Sequence, residues 1–227
     1  MDRALASAPL HVFLSNRLER QFLAAFPTAS RTVVIENALD DLWMGLPTKS
    51  LSDRSIDIVF VGRWSPDKGI DLLLELLKDL AHLRVEVYTT VPRVKTVGNV
   101  TYRPWAGPSE LRAAFADAKV QVLPSRAEGY PTVLLEGLAC GTPFVASDVG
   151  GISDIATASE GGTVVPTERT SEFRAAVERL LGDPADWARR SAAGHAWVNR
   201  VHSAAAVIPK WQEAYASLLP SPQNEPR

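Results

Sequence analysis

The stretch Ser125-Arg-Ala-Glu-Gly-Tyr-Pro-Thr-Val-Leu-Leu-Glu-Gly-Leu-Ala-Cys-Gly-Thr-Pro-Phe-Val-Ala-Ser-Asp-Val-Gly-Gly151 decides the fold of this chain. Before it stands Val120-Gln121-Val122-Leu123, a short apolar and β-branched run that reads as a buried strand. Pro131 sits where a first helical residue belongs, since its fixed φ and missing N–H cost nothing there. Val133, Leu134, Leu138 and Ala139 then recur at helical spacing. Gly141 ends the helix, Pro143 follows, and Phe144-Val145-Ala146 starts another strand. Strand, loop, helix and strand in this order build a parallel sheet.

Two carboxylates carry the chemistry of the stretch. Glu128 lies in the loop before the helix, where unpaired N–H groups and the positive end of the dipole gather. Glu136 lies more than one turn deeper. Such a loop can hold an anion on the helix N-terminus, with one carboxylate on each side to accept hydroxyl hydrogen bonds. A nucleoside diphosphate sugar has that layout: ribose diol, diphosphate, sugar hydroxyls. Taken alone, Glu-x7-Glu also fits a dipole-pairing Glu128 and a solvated Glu136.

The whole string adds what the pair lacks. Ser125, Glu128, Gly129, Tyr130, Pro131, Leu135, Glu136, Gly137, Ala139, Gly141 and Pro143 resemble the signature of glycosyltransferase family 4, retaining enzymes of the GT-B fold. The resemblance implies an α/β fold in which a Rossmann-like parallel sheet carries helices on both faces. That unit would be the C-terminal, donor-binding half of a GT-B fold, accompanied by a remnant of the N-terminal domain. It also implies that Glu136 holds the ribose hydroxyls and that Glu128 lies near the donor hexose.

Composition fits this class and excludes others. The chain has 227 residues, 46% of them hydrophobic and 22% charged, the usual balance of a globular protein. A formal charge of −2 with no Lys/Arg cluster argues against nucleic acid as a partner. The single cysteine, Cys140, excludes an internal disulfide and suits a reducing compartment. Its surroundings fit a packed thiol. No apolar run reaches the length of a membrane helix, and the N-terminus makes no convincing signal peptide. The expectation is a cytoplasmic protein. A peripheral membrane contact stays open, because lipid-linked acceptors are common in the resembled family.

Ahead of the deciding stretch, His11-Val-Phe-Leu and Thr32 to Ile35 read as strands. Between them Asn16 and Glu19 suggest a capped helix start. Ser15, Asn37 and Asp40 match the family elements that close the N-terminal domain. Ala38 replaces a glycine there, which would strain a left-handed turn. The expected organisation is residues 1–46 as the N-terminal remnant, 47–55 as linker, 56–201 as the donor domain and 202–219 as a crossover helix.

Ile56 to Val61 reads as a buried strand ending in Gly62-Arg63, and Lys68-Gly69 opens a helix with Leu72, Leu73, Leu76 and Leu77 inward. Two cations thereby reach one crevice mouth, where open α/β sheets bind ligands. They read as solvated surface charges in isolation. Gly-Arg-x4-Lys-Gly also resembles the family's diphosphate element, which favours phosphate binding by Arg63 and Lys68. Leu83 to Tyr88 and Val100 to Tyr102 read as strands, and Ser109 as the cap of a helix. Here the family's loop glycines give way to Thr89-Thr90-Val91-Pro92 and Arg103-Pro104-Trp105, so the base cannot be carried over. Trp105 could stack on a base; plugging its loop onto the core is the expected role. Gly150-Gly151 reads as a close-approach loop near the donor, followed by a strand over Gly162 to Val165 and three helical stretches. His195 and His202 are expected to be solvated or capping. With no ligand spacing or Asp-x-Asp motif, neither metal nor other cofactor is expected.

The resemblance therefore implies sugar transfer with retention from a nucleotide diphosphate donor to a glycan, lipid or small acceptor. Glu128, Arg63 and Lys68 would serve the chemistry, the two cations and the Pro131 helix end stabilising the leaving diphosphate. Gly62, Gly129, Tyr130, Pro131, Thr132, Glu136, Gly150 and Gly151 would bind the donor. The alternative is a nucleotide-sugar-binding module without turnover, completed by an N-terminal partner chain. A nucleotide-sugar epimerase on the same fold fits the signature less well.

Overall fold

A computed structural model describes residues 7–27 and 31–219. Two sheets organise them. The smaller is a parallel pair, β1 (His11–Phe13) and β2 (Thr32–Val34), joined through α1 (Asn16–Ala25). The larger has seven strands: β3 (Ile56–Val61), β4 (Val85–Tyr88), β5 (Lys95–Val97), β6 (Val100–Arg103), β7 (Ala118–Leu123), β8 (Phe144–Ser147) and β9 (Gly162–Val165). Their order is β5-β6-β4-β3-β7-β8-β9, and every pairing is parallel except β5 with β6.

The helices between them are α2 (Ile70–Asp79), α3 (Pro108–Asp117), α4 (Thr132–Ala139), α5 (Ile152–Ser159), α6 (Thr170–Gly182), α7 (Pro184–Val201) and α8 (Ala204–Ala216). They cover both faces of the large sheet: α2 packs with α6, while α3 packs with α4 and α4 with α7. The α/β architecture read from the sequence is the one observed. None of the described helices is long and apolar enough to cross a membrane.

The strand order places the site. From β3 the chain first runs outward to β4 and β6, then returns to β7 on the other side of β3 and continues to β8 and β9. The direction of winding therefore switches between β3 and β7. A crevice opens beyond the C-terminal ends of those two strands, as doubly wound sheets require. Both strands are covered on both faces, so their sequences run apolar without alternation: Ile58, Val59, Phe60, Val120 and Val122 are all fully buried.

Several local expectations shift by one or two positions. Ser15, not Asn16, caps α1, its hydroxyl accepting from the Leu18 N–H, since its extended backbone can turn the side chain back. Gly107 precedes α3, whose first residue is Pro108, so Ser109 lies inside the helix. Pro131 is the residue before α4 and not its first turn; its ψ of 108° is extended. Ala38 is not left-handed, so the glycine it replaces is not needed for this turn. Edge strand β5 and helix α5 have no counterpart in the sequence reading.

The segment over residues 47–55 is packed against the large sheet through Arg54, which is only 2% exposed. Its guanidinium donates to the carbonyls of Phe115, Ala118, Cys140 and Gly141, to Thr142 Oγ1 and to the Lys49 carbonyl. The face of Trp187 covers it. Two helix C-termini, of α3 and α4, thus aim their negative ends at one cation. Burial lowers the Arg54 pKa to about 10, which still leaves it charged at neutral pH. At the other end, α8 returns to the small sheet, where Val207, Ala214 and Trp211 pack with Ile35, Val12 and Val33.

Candidate functional site

The crevice has a volume of about 530 Å³, within the usual range for small-molecule sites. Eight of the sequence-assigned residues line it: Gly62, Arg63, Lys68, Glu128, Tyr130, Pro131, Thr132 and Glu136. They come from the end of β3, the turn before α2, the loop between β7 and α4, and α4 itself, which carries Thr132 and Glu136. Gly129, Gly150 and Gly151 are not among its lining residues.

The turn carrying Lys68 is locked to the loop carrying Glu128. Gly69 has φ +64°, and a Cβ there would lie 1.9 Å from the Pro124 carbonyl oxygen, so only glycine lets the two backbones touch. The Arg126 N–H donates to the Asp67 carbonyl at 2.8 Å. The Arg126 side chain grips Asp71 with both terminal nitrogens and also reaches Glu168. These contacts hold the Asp71 carboxyl down to about 2 and raise the guanidinium further above its ordinary range.

Within that frame, Lys68 Nζ lies 2.7 Å from Glu128 Oε1, and Ser125 Oγ donates to the same oxygen at 2.7 Å. The pair is largely enclosed, with the Lys68 side chain 19% and that of Glu128 7% exposed. An ammonium has three donors, so Lys68 keeps two for an incoming anion. Arg63 stands at the exposed rim, 3.1 Å from Asp67.

Helix α4 opens onto the crevice without a side-chain cap. Its first N–H groups have no intrahelical partner and present the positive end of the helix dipole. Gln121 steadies this end from below, its Nε2 donating to the Val133 carbonyl, in space that Gly137 leaves free of a Cβ. One turn in, Glu136 faces the crevice with no hydrogen bond to its carboxyl from any described residue. Burial raises its pKa to about 7. A desolvated carboxyl of this kind gains from any hydroxyl pair that reaches it.

The glycine pair shapes the loop from behind. Gly150 has φ +56°, and a Cβ would lie 2.0 Å from the Glu128 carbonyl oxygen. The Gly151 N–H donates to the Gly129 carbonyl at 2.7 Å. Their close approach is thus to the Glu128–Gly129 backbone. Tyr130 is buried, and its hydroxyl lies 3.4 Å from His202 Nε2. Burial holds the phenol above its ordinary range, so it stays protonated.

One expectation is corrected here and another narrowed. Trp105 does not plug the core: it is 58% exposed and stands over the crevice, because the loop after β6 runs out past the sheet edge. Of the two roles expected for His202, capping holds and solvation does not: it is the C-cap of α7, fully buried, packs on Trp197, and its Nδ1 pairs with the Asn37 carbonyl. Burial lowers its pKa, which keeps it neutral. His195 does cap, at the Ala139 carbonyl ending α4. Trp43 lines the crevice from the N-terminal segment, and nothing in its sequence neighbourhood signals that. Cys140 is a buried thiol, pushed up to about 12, and so is inert. Among the described residues no group of side chains could hold a metal ion.

The arrangement brings two cations, a helix N-terminus and two carboxylates to one crevice. Known proteins share its frame. The chain is 29% identical over 159 residues to a D-inositol 3-phosphate glycosyltransferase of Rhodococcus opacus, covering 61% of this chain and 36% of that protein. It therefore spans about a third of that relative's length. Among solved structures, sucrose-phosphate synthase from Thermosynechococcus elongatus superposes with a TM-score of 0.79 at 22% identity, over 96% of this chain and 60% of that one. Anabaena HepE in complex with UDP-glucose does so with a TM-score of 0.76 at 18% identity, over 95% and 67%. The likeness to these structures is one of fold, the GT-B architecture. The family described as glycosyl transferases group 1 matches residues 55–183, more than half of the sequence, and the chain belongs to that family.

Proposed function

We propose that the crevice binds the nucleoside diphosphate of an activated sugar and that this chain supplies the donor side of a sugar transfer. The observation that carries the reading is the convergence of Arg63, Lys68, Glu128, Glu136 and the uncapped α4 N-terminus on one crevice at the switch point of the sheet. The diphosphate lies against the α4 N-terminus, Arg63 and the free donors of Lys68. The ribose diol meets Glu136. The hexose lies towards Glu128, whose orientation Lys68 and Ser125 fix. The bound UDP-glucose of the Anabaena neighbour supports this class of donor.

In the reaction, the bond from the anomeric carbon to the diphosphate oxygen breaks as the acceptor oxygen attacks from the same face. The departing diphosphate takes the acceptor proton, so configuration is retained, in the manner of family 4. Arg63, Lys68 and the helix N-terminus stabilise the charge that develops on the leaving group. Residues 56–201 form the donor domain, 1–46 a remnant of the acceptor-side domain, 47–55 the link and 202–219 the crossover; the packing of α8 on the small sheet supports that division. An N-terminal domain, in the same polypeptide or as a partner chain, brings the glycan or lipid-linked acceptor. No metal or other cofactor is needed by this scheme.

Equilibrium binding of a nucleoside, its diphosphate and its diphosphate sugar to the purified chain tests the reading. Tighter binding at each step of that series supports it. Equal affinity for nucleoside and diphosphate with every base tried would refute it.

A further inference from the structure

A second groove lies at the β5 edge of the large sheet. Trp64, Leu74, Val91, Pro92, Val97 and Tyr102 line it, together with Arg93 and Lys95. Its origin is topological. Antiparallel β5 adds an exposed edge strand beyond β6, and Leu74 of α2 closes the groove on its inner side. Lys95 pairs with Tyr102 and Val97 lies two residues on, which puts all three side chains on one face. Trp64 forms the near wall, its ring edge-on to Tyr102 at 5.7 Å.

The surface is unusual in both polarity and charge. Trp64, Val94, Val97 and Trp105 are exposed at 41%, 55%, 52% and 58%. Between Thr90 and Trp105 there is no Asp or Glu, in a chain whose formal charge is −2. Arg103 is matched by Glu86, but Arg93 and Lys95 have no carboxylate partner among the described residues. Apolar and cationic side chains alternate along Val91, Arg93, Val94, Lys95 and Val97. A protein interface gathers its apolar residues centrally and excludes lysine from that centre. Interleaving suits the headgroup layer of a bilayer, where apolar side chains enter and cations meet phosphates.

We propose that this groove and its rim, Trp64 with Val91 to Val97, dock the chain on an anionic lipid surface. The patch continues into the crevice mouth, since Trp64 follows Arg63 directly and Trp105 stands over the crevice. Docking there holds the crevice mouth beside the lipid surface. The attraction is modest, as two unmatched cations provide it, and binding is therefore reversible and salt-sensitive.

Vesicle co-sedimentation of the full chain tests this, with phosphatidylcholine alone against phosphatidylcholine containing phosphatidylglycerol. The chain should partition onto the anionic vesicles only, and less so at high salt. Arg93→Glu with Lys95→Glu should reduce partitioning more than about tenfold, and Val94→Ser with Val97→Ser should also reduce it. All four side chains are exposed and none belongs to the proposed nucleotide site, so melting temperature and nucleotide affinity should not change. Equal binding to neutral and anionic vesicles, binding to neither, or partitioning unaffected by both double variants would overturn the proposal. So would self-association in sedimentation velocity that Val94→Ser with Val97→Ser abolishes while vesicles stay unbound, which would assign the face to a second copy.

Discussion

Lys68 and Glu128, sixty residues apart in sequence, form a 2.7 Å ion pair on the wall of the crevice. Among the described residues, neither forms an ion pair with any other side chain. Because the pair is largely enclosed, removing one member leaves a poorly solvated charge. Lys68→Ala or Glu128→Ala alone should therefore destabilise the fold by about 1–3 kcal/mol. Lys68→Met combined with Glu128→Gln should recover part of that loss. A double-mutant cycle by urea denaturation reads the coupling directly, and additive losses would show that the contact contributes nothing.

Glu136 makes stability and binding depend on pH in opposite senses. Its folded-state pKa, about 7, lies above the ordinary value of 4.5. The folded chain then binds the proton more tightly than the unfolded chain does. Its contribution is greatest below about pH 4.5, declines as pH rises and levels off above about pH 7. Glu136→Gln should flatten that decline and be the more stable protein at pH 8, by roughly 1–3 kcal/mol. Ribose binding should instead tighten as the carboxyl ionises. Thermal melts and nucleotide affinity from pH 5 to 8 check both slopes.

Gly150 and Gly129 should respond differently to alanine. Gly150→Ala combines a left-handed φ with a 2.0 Å approach to backbone, and should cost more than about 1–2 kcal/mol. At Gly129 a Cβ would meet nothing within 4 Å, so Gly129→Ala should leave stability unchanged. Any effect of Gly129→Ala on nucleotide-sugar affinity would then report on the ligand side of the loop. Chemical denaturation separates the two variants.

Arg54 should be among the most sensitive positions outside the crevice. Arg54→Met would remove one buried donor from the carbonyls of Phe115, Ala118, Cys140 and Gly141; Phe115 keeps the Thr142 hydroxyl and Gly141 the Ser191 hydroxyl, so Ala118 and Cys140 lose most. A loss of about 3–5 kcal/mol is expected, measured as a lower urea midpoint. Arg54→Lys should rescue little, since one ammonium cannot span two helix ends.

How far the sequence can be read varies with the range of the interactions. The unit from Val120 to Ala146 is legible because period, proline and glycine all agree locally over it. The approach of Arg63, Lys68, Glu128 and Glu136 follows from placing each at a strand end or helix start in a parallel sheet. Edge strand β5 is not legible, for Lys95–Val97 is exposed at every residue and is held only by pairing with β6. Helix α5 has a weak pattern of small residues, Ala-Thr-Ala-Ser, after a glycine pair. The burial of His202 and the exposure of Trp105 depend on where other segments pass, which no local pattern encodes. Arg54 reads as part of a polar linker because its acceptors come mostly from residues sixty or more positions away.

In the proposed complex Glu136 holds the nucleoside and Glu128 the sugar across a diphosphate in this crevice. Calorimetry of Glu136→Gln and Glu128→Gln, each with a nucleoside diphosphate and with its sugar-bearing form, tests it most directly. Glu136→Gln should weaken both ligands about tenfold or more. Glu128→Gln should weaken the diphosphate sugar more than the bare diphosphate. Losses that are equal for the two ligands at both positions would contradict the account.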